Sequence, residues 1–141
     1  MHIFYTPALS LGEDAFISVR KPREVFERVY LPDEDVVVDP GAIRPEAVAR
    51  VHDPAYVQGI VELRTRNGFG NCERRILSQV LRANAAMVKA ALHAAERPGF
   101  NVTFAPVSGF HHAHYDSNYG YCTFNALVIA VESLRRRRDQ A

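Results

Sequence analysis

The sequence predicts an α/β layered fold with a largely parallel sheet, and three observations support this. Short β-prone runs alternate with helical segments in the order strand, helices, strand, helices, strand, helix. The 141 residues are 48% hydrophobic and 23% charged, an ordinary balance for a domain with one core. Apolar residues recur at helical spacing through the segment that ends near Ala95, which predicts a long helix.

The first half of the chain is expected to contain two strands and two short helices before His52. His2–Tyr5 and Val36–Val38 are the strands, and Ala8–Ser18 between them is expected to be loop. Pro22 is expected in the first turn of a helix, because its fixed φ suits that position. That helix is expected to place on one face Val25, Phe26 and Val29. Pro45 opens a second short helix to about Val51.

Two more helices are expected on either side of a glycine loop. Asp53 is expected to cap the first helix, which stops at Asn67 and Gly68. Its inward-facing residues are expected to be Tyr56, Val57, Ile60 and Leu63. The second begins after Asn71, a capping residue, and is ended by Pro98 and Gly99. The loop between them, Gly68–Cys72, fits either a simple helix–helix turn or a rim loop beside a substrate mouth.

Two adjacent histidines follow the third predicted strand, Val102–Val107. Ser108 and Gly109 signal the turn that ends this strand, and His111 and His112 come next. Ligands bind beyond the carboxyl ends of strands in open α/β sheets, and imidazoles can donate, accept or bind metal near neutral pH. The alternative is a surface loop with two unrelated histidines.

The sequence motifs around the histidine pair resemble those of the histone deacetylase and acetylpolyamine amidohydrolase family. That family has Gly-x-His-His-Ala, then Gly-Phe-Cys, then an Asn that opens an apolar helix. The matching residues here are Gly109, His111, His112, Ala113, Gly120, Tyr121, Cys122 and Asn125. The segment HDPAYV, which starts at His52, also resembles a helix opening of the family, whereas VRKPREV at 19–25 departs from its HPE-type segment.

The resemblance implies an arginase/deacetylase-like α/β fold and a zinc-dependent amidohydrolase that removes acetyl groups from lysine side chains or polyamines. His112 is implied as the general base, and His111 as its partner, electrostatic stabiliser or acid. Gly120 lets the substrate approach closely, and Tyr121, in place of the usual Phe, lines the tunnel for the alkyl chain that carries the acyl group. Cys122 is expected to be buried and inert.

The family's zinc ligands, an Asp-x-His and a later Asp, have no counterpart in these residues. Residues 1–141 are therefore expected to be the N-terminal part of one deacetylase-like domain, inactive alone. Zinc would be bound by the C-terminal part, with a complementary polypeptide or a homo-oligomer as partner. The alternative is an inactive fragment that serves as a binding or regulatory module. A metal site within His111, His112, His114 and Asp116 is discounted, because a tight loop rarely folds four ligands onto one ion.

Charge and cysteine content exclude several classes of protein. The net charge is +1, which implies no bulk attraction to nucleic acid or membrane. Two cysteines are too few for a disulfide framework, so a reduced, cytoplasmic setting is expected. No apolar stretch is long enough to span a bilayer. The run Arg135–Arg138 is interpreted as a solvated last helical turn; a nucleic-acid patch is disfavoured because no other basic cluster supports it.

Overall fold

The chain folds into a three-stranded parallel sheet with helices around it, as the sequence predicts. The computed structural model describes residues 1–12, 16–97, 99 and 101–141. Its strands are β1 (His2–Phe4), β2 (Val36–Val38) and β3 (Thr103–Phe104), in the order β2-β1-β3. His2 pairs with Val36 on one side and with Thr103 on the other, and both pairings are parallel. All three carboxyl ends therefore meet at one edge of the sheet.

Five α-helices connect and cover these strands in the described part of the chain. They are α1 (Ile17–Val29), α2 (Pro45–Val48), α3 (Pro54–Val61), α4 (Arg74–Ala95) and α5 (Ala126–Gln140), with a 3₁₀ turn at Pro7–Leu9. Asp53 caps α3 as predicted, since its side chain accepts a hydrogen bond from the Tyr56 N–H at 2.9 Å. No helix in the described ranges is long and apolar enough to cross a membrane.

Helix α4 is the central helix, because it is buried on two sides. Its small residues Ala83, Ala86 and Ala90 pack against the sheet with Ile3 and Phe110. Its larger apolar residues belong to a second cluster with α3 and α5, formed by Ile60, Ile76, Val80, Phe124 and Ile129. Alanine on the sheet side lets the helix axis approach closely, while the branched residues fill the wider space opposite.

Two element boundaries and the exposure of one side chain differ from the sequence-based prediction. Pro22 lies inside α1 rather than in its first turn, because the helix starts five residues earlier and buries Val19 together with Pro22. Val25, predicted to share one face with Phe26 and Val29, is exposed, whereas those two are half-buried. The β-prone run Val102–Val107 pairs only at Thr103–Phe104, since β1 offers few residues to pair with.

Two further helices are shorter than predicted, and some predictions fall outside the described residues. Helix α2 ends at Val48 and continues as turn, and α3 ends at Val61, well before Asn67. Asn71 accepts from the Glu73 N–H at 3.0 Å, but the residue at the N-cap of α4 is Glu73. Pro98 and part of the predicted loop Ala8–Ser18, residues 13–15, are not described; Ile17 and Ser18 of that loop are helical.

Candidate active site

The histidine pair lies on the loop between β3 and α5, at the edge where the strands end. Phe110 and Ala113 on either side of the pair are buried, and the Ala113 N–H donates to the Phe110 carbonyl across a turn. His111 and His112 occupy the two positions between these anchors and are both exposed. The buried neighbours therefore hold the turn in place, and the turn presents both imidazoles to solvent.

The two imidazoles are in contact with each other. Their ring centroids are 4.1 Å apart with the planes tilted by 44°. The Tyr119 ring meets the His112 ring edge-on, with centroids 5.7 Å apart. Among the described residues, neither imidazole has a hydrogen-bond partner or a charged neighbour in an ion pair. Packing alone therefore orients the pair within this part of the chain.

Gly120 leaves the space that the His112 ring occupies. Its φ is +57°, and a Cβ there would lie 2.9 Å from Cδ2 of His112, so a larger residue would displace the imidazole. Tyr121 follows with a φ of +64°, which costs a non-glycine residue about 1–2 kcal/mol. A turn bond from the Cys122 N–H to the Tyr119 carbonyl at 3.0 Å closes this bend. The bend puts Gly120 against His112 and turns the Tyr121 side chain outward.

The glycine loop between α3 and α4 packs against this bend. The Gly68 carbonyl accepts from the Tyr121 N–H at 2.9 Å, and the Gly68 N–H donates to Oγ1 of Thr123 at 3.0 Å. A Cβ on Gly68 would lie 2.6 Å from the Cys122 carbonyl carbon, so only glycine fits without movement. The geometry agrees with both interpretations of this loop, a helix–helix turn and a rim loop, because the loop joins α3 to α4 and also borders the candidate site.

Aromatic rings form a wall beside the bend. Phe69 lies 5.4 Å from Tyr121 and 5.3 Å from Phe16, measured between ring centroids, and Phe16 lies 5.8 Å from Tyr121. Next to this wall an open groove of about 470 Å³ runs past Gly68, Gly120 and Tyr121. The sequence indicated Gly120 and Tyr121, and the rim-loop interpretation of Gly68–Cys72 includes Phe69, but nothing in the sequence indicated that Phe16 would join them.

A buried histidine, His52, fastens both ends of the candidate site. Its Nε2 accepts from the Asn125 N–H at 2.9 Å, and its Nδ1 lies 3.2 Å from the Tyr115 carbonyl oxygen. A backbone N–H can only donate and a carbonyl can only accept, so the ring is neutral with its proton on Nδ1. Burial lowers the pKa of His52, which favours the same neutral form.

The buried hydroxyl of Tyr56 supports the polar part of the loop. The Tyr56 hydroxyl donates to the Thr123 carbonyl at 2.7 Å and accepts from Nδ2 of Asn118 at 2.9 Å. Asn118 also donates to the Arg66 carbonyl at 2.9 Å. Burial raises the pKa of Tyr56 to about 12, so the hydroxyl keeps its proton. Sequence reasoning placed Tyr56 inward from its helical spacing but missed the polar partners of its hydroxyl.

The described residues do not form a metal centre. Within ranges 1–12, 16–97, 99 and 101–141, no three His, Cys, Asp or Glu side chains come close enough to hold one ion. The zinc that the family resemblance implies therefore does not fit a ligand set built from these residues alone. Both cysteines are free: Cys122 is buried, as predicted, and Cys72 is half-buried.

Comparison with known proteins agrees with the sequence-based resemblance. The histone deacetylase domain model matches residues 18–140. A probable deacetylase from Methanothermobacter thermautotrophicus is 29% identical over 103 residues, which cover 70% of this chain and 31% of that protein. The crystal structure of acetylpolyamine aminohydrolase from Burkholderia pseudomallei superposes with a TM-score of 0.75 at 16% identity, covering 97% of this chain and 53% of that one.

The structural match confirms the deacetylase-like α/β fold. The chain spans about a third of the length of the sequence relative and about half of the structural one. The individual roles of His111, His112, Gly120 and Tyr121 stay predictions. The match to the family model nevertheless extends over most of the chain, from the second residue of α1 to the last residue of α5. The chain therefore belongs to the histone deacetylase family.

Proposed function

We propose that this chain supplies the acid–base histidines of an amidohydrolase that removes acetyl or other acyl groups from lysine side chains or polyamines. One observation carries the proposal: His111 and His112 are exposed and in mutual contact, between two buried anchors, at the carboxyl edge of a parallel sheet. Hydrolysis of an amide needs a base for the attacking water and an acid for the leaving amine, and two adjacent imidazoles can serve both.

In this proposal the two histidines have different roles because their surroundings differ. Gly120 and Tyr119 pack on the His112 ring and limit its movement, which suits the general base that must meet a water in one geometry. The His111 ring packs on His112, with centroids 4.1 Å apart. It is then close enough to stabilise the developing charge and to protonate the leaving nitrogen.

The substrate is proposed to enter along the aromatic wall of Phe16, Phe69 and Tyr121. The groove beside the wall is open, and Gly68 and Gly120 add no side chains to it. An unbranched alkyl chain that ends in an acylated nitrogen is narrow enough to lie along such rings, and both lysine and polyamines provide one. The exposed Tyr121 hydroxyl is placed to contact the polar part of the substrate.

The proposal places zinc on polypeptide outside these 141 residues. No ligand set forms among the described residues, and the match covers about half of the structural relative. We therefore assign to this chain only the proton transfers of His111 and His112. A companion polypeptide would also cover α5, where Leu127, Val128 and Val131 are about half exposed. A cytoplasmic setting is retained, consistent with two free cysteines.

The test is a set of histidine variants in the assembled, zinc-loaded enzyme. His112→Ala is expected to lower kcat by roughly 10²–10⁴-fold, the usual worth of positioned acid–base catalysis. His111→Ala should also lower kcat, and the double variant should cost less than the product of the two, because the pair acts as a unit. Zinc content should stay unchanged in each variant.

His114→Ala is the matched control, because His114 is an exposed histidine on the same loop. It should retain nearly full turnover of acetyl-lysine peptides and acetylpolyamines. Loss of zinc in both pair variants would assign the histidines to metal binding instead. Wild-type turnover in His112→Ala at full zinc occupancy would refute the proposed role.

A further inference from the structure

A cleft that shares no lining residue with the groove of the candidate active site concentrates positive charge. It has a volume of about 590 Å³ and is lined by residues 42–44, 47 and 50, by one face of α4 and by one face of α5. The α4 residues are 85, 88, 89 and 92, and the α5 residues are 133, 136, 137 and 140, so each helix contributes positions i, i+3, i+4 and i+7. Both sets therefore face into the same groove.

Five basic residues line this cleft, and they come from different segments. They are Arg44, Arg50, Lys89, Arg136 and Arg137. The chain has 17 Lys and Arg against 16 Asp and Glu, yet no acidic residue among those described lines the cleft. Glu96, outside the lining, pairs with Arg137, and the other four cations form no ion pair with a described residue. A nearly neutral chain thus carries a locally strong positive field.

The floor of the cleft is apolar. The buried residues that line it are Ile43, Ala85 and Val88. A solvated last turn of α5 would explain Arg136 and Arg137 through the helix dipole. It would not explain why Arg44, Arg50 and Lys89 converge on the same concave, apolar-floored space. Cations around an apolar floor are the arrangement that a ligand with anionic groups and a non-polar body requires.

We propose that this cleft binds a small organic molecule that carries at least two phosphate groups. Arginine side chains match phosphate oxygens in bidentate geometry, and four cations without an ion pair among the described residues call for a multiply charged ligand. The volume lies within the range of about 300–1,000 Å³ that small-molecule sites occupy. Single-stranded nucleic acid is disfavoured, because such sites stack bases on aromatic rings and none of the described lining residues is aromatic.

The experiment measures binding of magnesium-free ATP to the full chain by calorimetry at about 50 and 200 mM salt. Wild-type protein should bind ATP, more weakly at the higher salt, and should bind it more tightly than inorganic tripolyphosphate because the floor contacts the organic body. The double variant Lys89→Gln, Arg136→Gln should weaken binding by roughly 25–100-fold, about five- to tenfold per charge-assisted contact.

The control double variant, Arg135→Gln with Arg138→Gln, removes the same amount of charge from positions of α5 that do not line the cleft. It should bind ATP within about twofold of wild type. All four side chains are exposed, so both doubles should keep the wild-type thermal midpoint. If one unfolds, Arg136→Gln against Arg135→Gln gives the same comparison.

Three results would overturn the proposal. They are no ATP binding by the wild type, equal losses in the two double variants, and tripolyphosphate binding as tightly as ATP. Oligothymidylate or polyglutamate binding in preference to ATP would assign the cleft to a macromolecule instead.

Discussion

Replacing His52 by leucine is expected to destabilise the protein through two lost hydrogen bonds rather than through lost volume. The His52 ring is 2% exposed, and leucine fills a similar space without a polar atom. The Asn125 N–H loses its acceptor at 2.9 Å, and a buried donor without a partner costs about 1–3 kcal/mol. The Tyr115 carbonyl loses His52 but keeps the Asp53 N–H at 2.9 Å, so that loss is about 1 kcal/mol.

The expected total is a decrease of about 2–4 kcal/mol in the free energy of unfolding. Urea denaturation followed by circular dichroism should show it as a midpoint lower by roughly 1–2 M at a slope of about 2 kcal/mol/M. His114→Leu is the control, since His114 is exposed on the same loop and should change stability by less than about 0.5 kcal/mol. Equal midpoints for wild type and His52→Leu would refute the reasoning.

The same histidine makes stability depend on pH in a definite direction. Burial lowers the pKa of His52 below 6.5 in the folded state, so below about pH 6.5 the unfolded chain binds a proton that the folded chain does not. The free energy of unfolding should therefore fall as pH drops from 7 towards 5, by up to about 1.4 kcal/mol per pH unit for this group. His2, whose pKa is also lowered by burial, acts in the same direction, so the His52→Leu variant isolates one contribution. Parallel pH curves for the two proteins would contradict the assignment.

The remaining predictions concern the glycine loop and the chain in isolation. Gly68→Ala should lower stability by roughly 1–3 kcal/mol, because the new Cβ overlaps the Cys122 backbone. Gly70→Ala, with nothing within 4 Å of its Cβ, should cost only the strain of its φ of +78°, and an equal loss in both would refute the steric cause. The purified chain with added zinc should release no acetate, since the described residues hold no ligand set; zinc-dependent turnover would contradict this. The chain should also associate through the exposed Leu127 and Val131, and Val131→Gln should reduce the sedimentation coefficient; a wild-type monomer with concentration-independent unfolding would rule this out.

Local patterns predicted the elements whose stability is mostly local. The long apolar periodicity located the C-terminal end of α4 at Ala95, and Asp53 followed by Pro54 located the start of α3, because capping depends on neighbouring residues. Strand positions in β1 and β2 also followed from short β-prone runs. Pro22 was misplaced because burial against the core outweighed the preference of proline for a first turn.

The parts of the candidate site that sequence reasoning missed depend on distant contacts. His52 and Asp53 are adjacent in sequence. The capping role of Asp53 can be predicted from its neighbours, whereas the hydrogen-bond partners of His52 lie in a distant segment of the chain. Sequence analysis interpreted Arg135–Arg138 as a solvated helical turn and disfavoured a nucleic-acid patch, because no second basic cluster lies along the sequence; it did not anticipate the cationic cleft. Its members, Arg44, Arg50 and Lys89, lie singly on separate segments and join Arg136 only in the folded chain.

The contacts that fasten the candidate site join residues far apart in the chain, and this affects how the protein folds. His52 to Asn125 spans 73 positions, Tyr56 to Thr123 spans 67, and Gly68 to Thr123 spans 55. Closing such long loops is entropically costly and makes folding slow compared with helix formation. We therefore expect the bend at Tyr121 to become stable only once α3 and the glycine loop are in place. The Tyr121 amide should exchange its hydrogen chiefly when the bend and the glycine loop open together. The shape of the candidate site therefore depends on the stability of the surrounding fold.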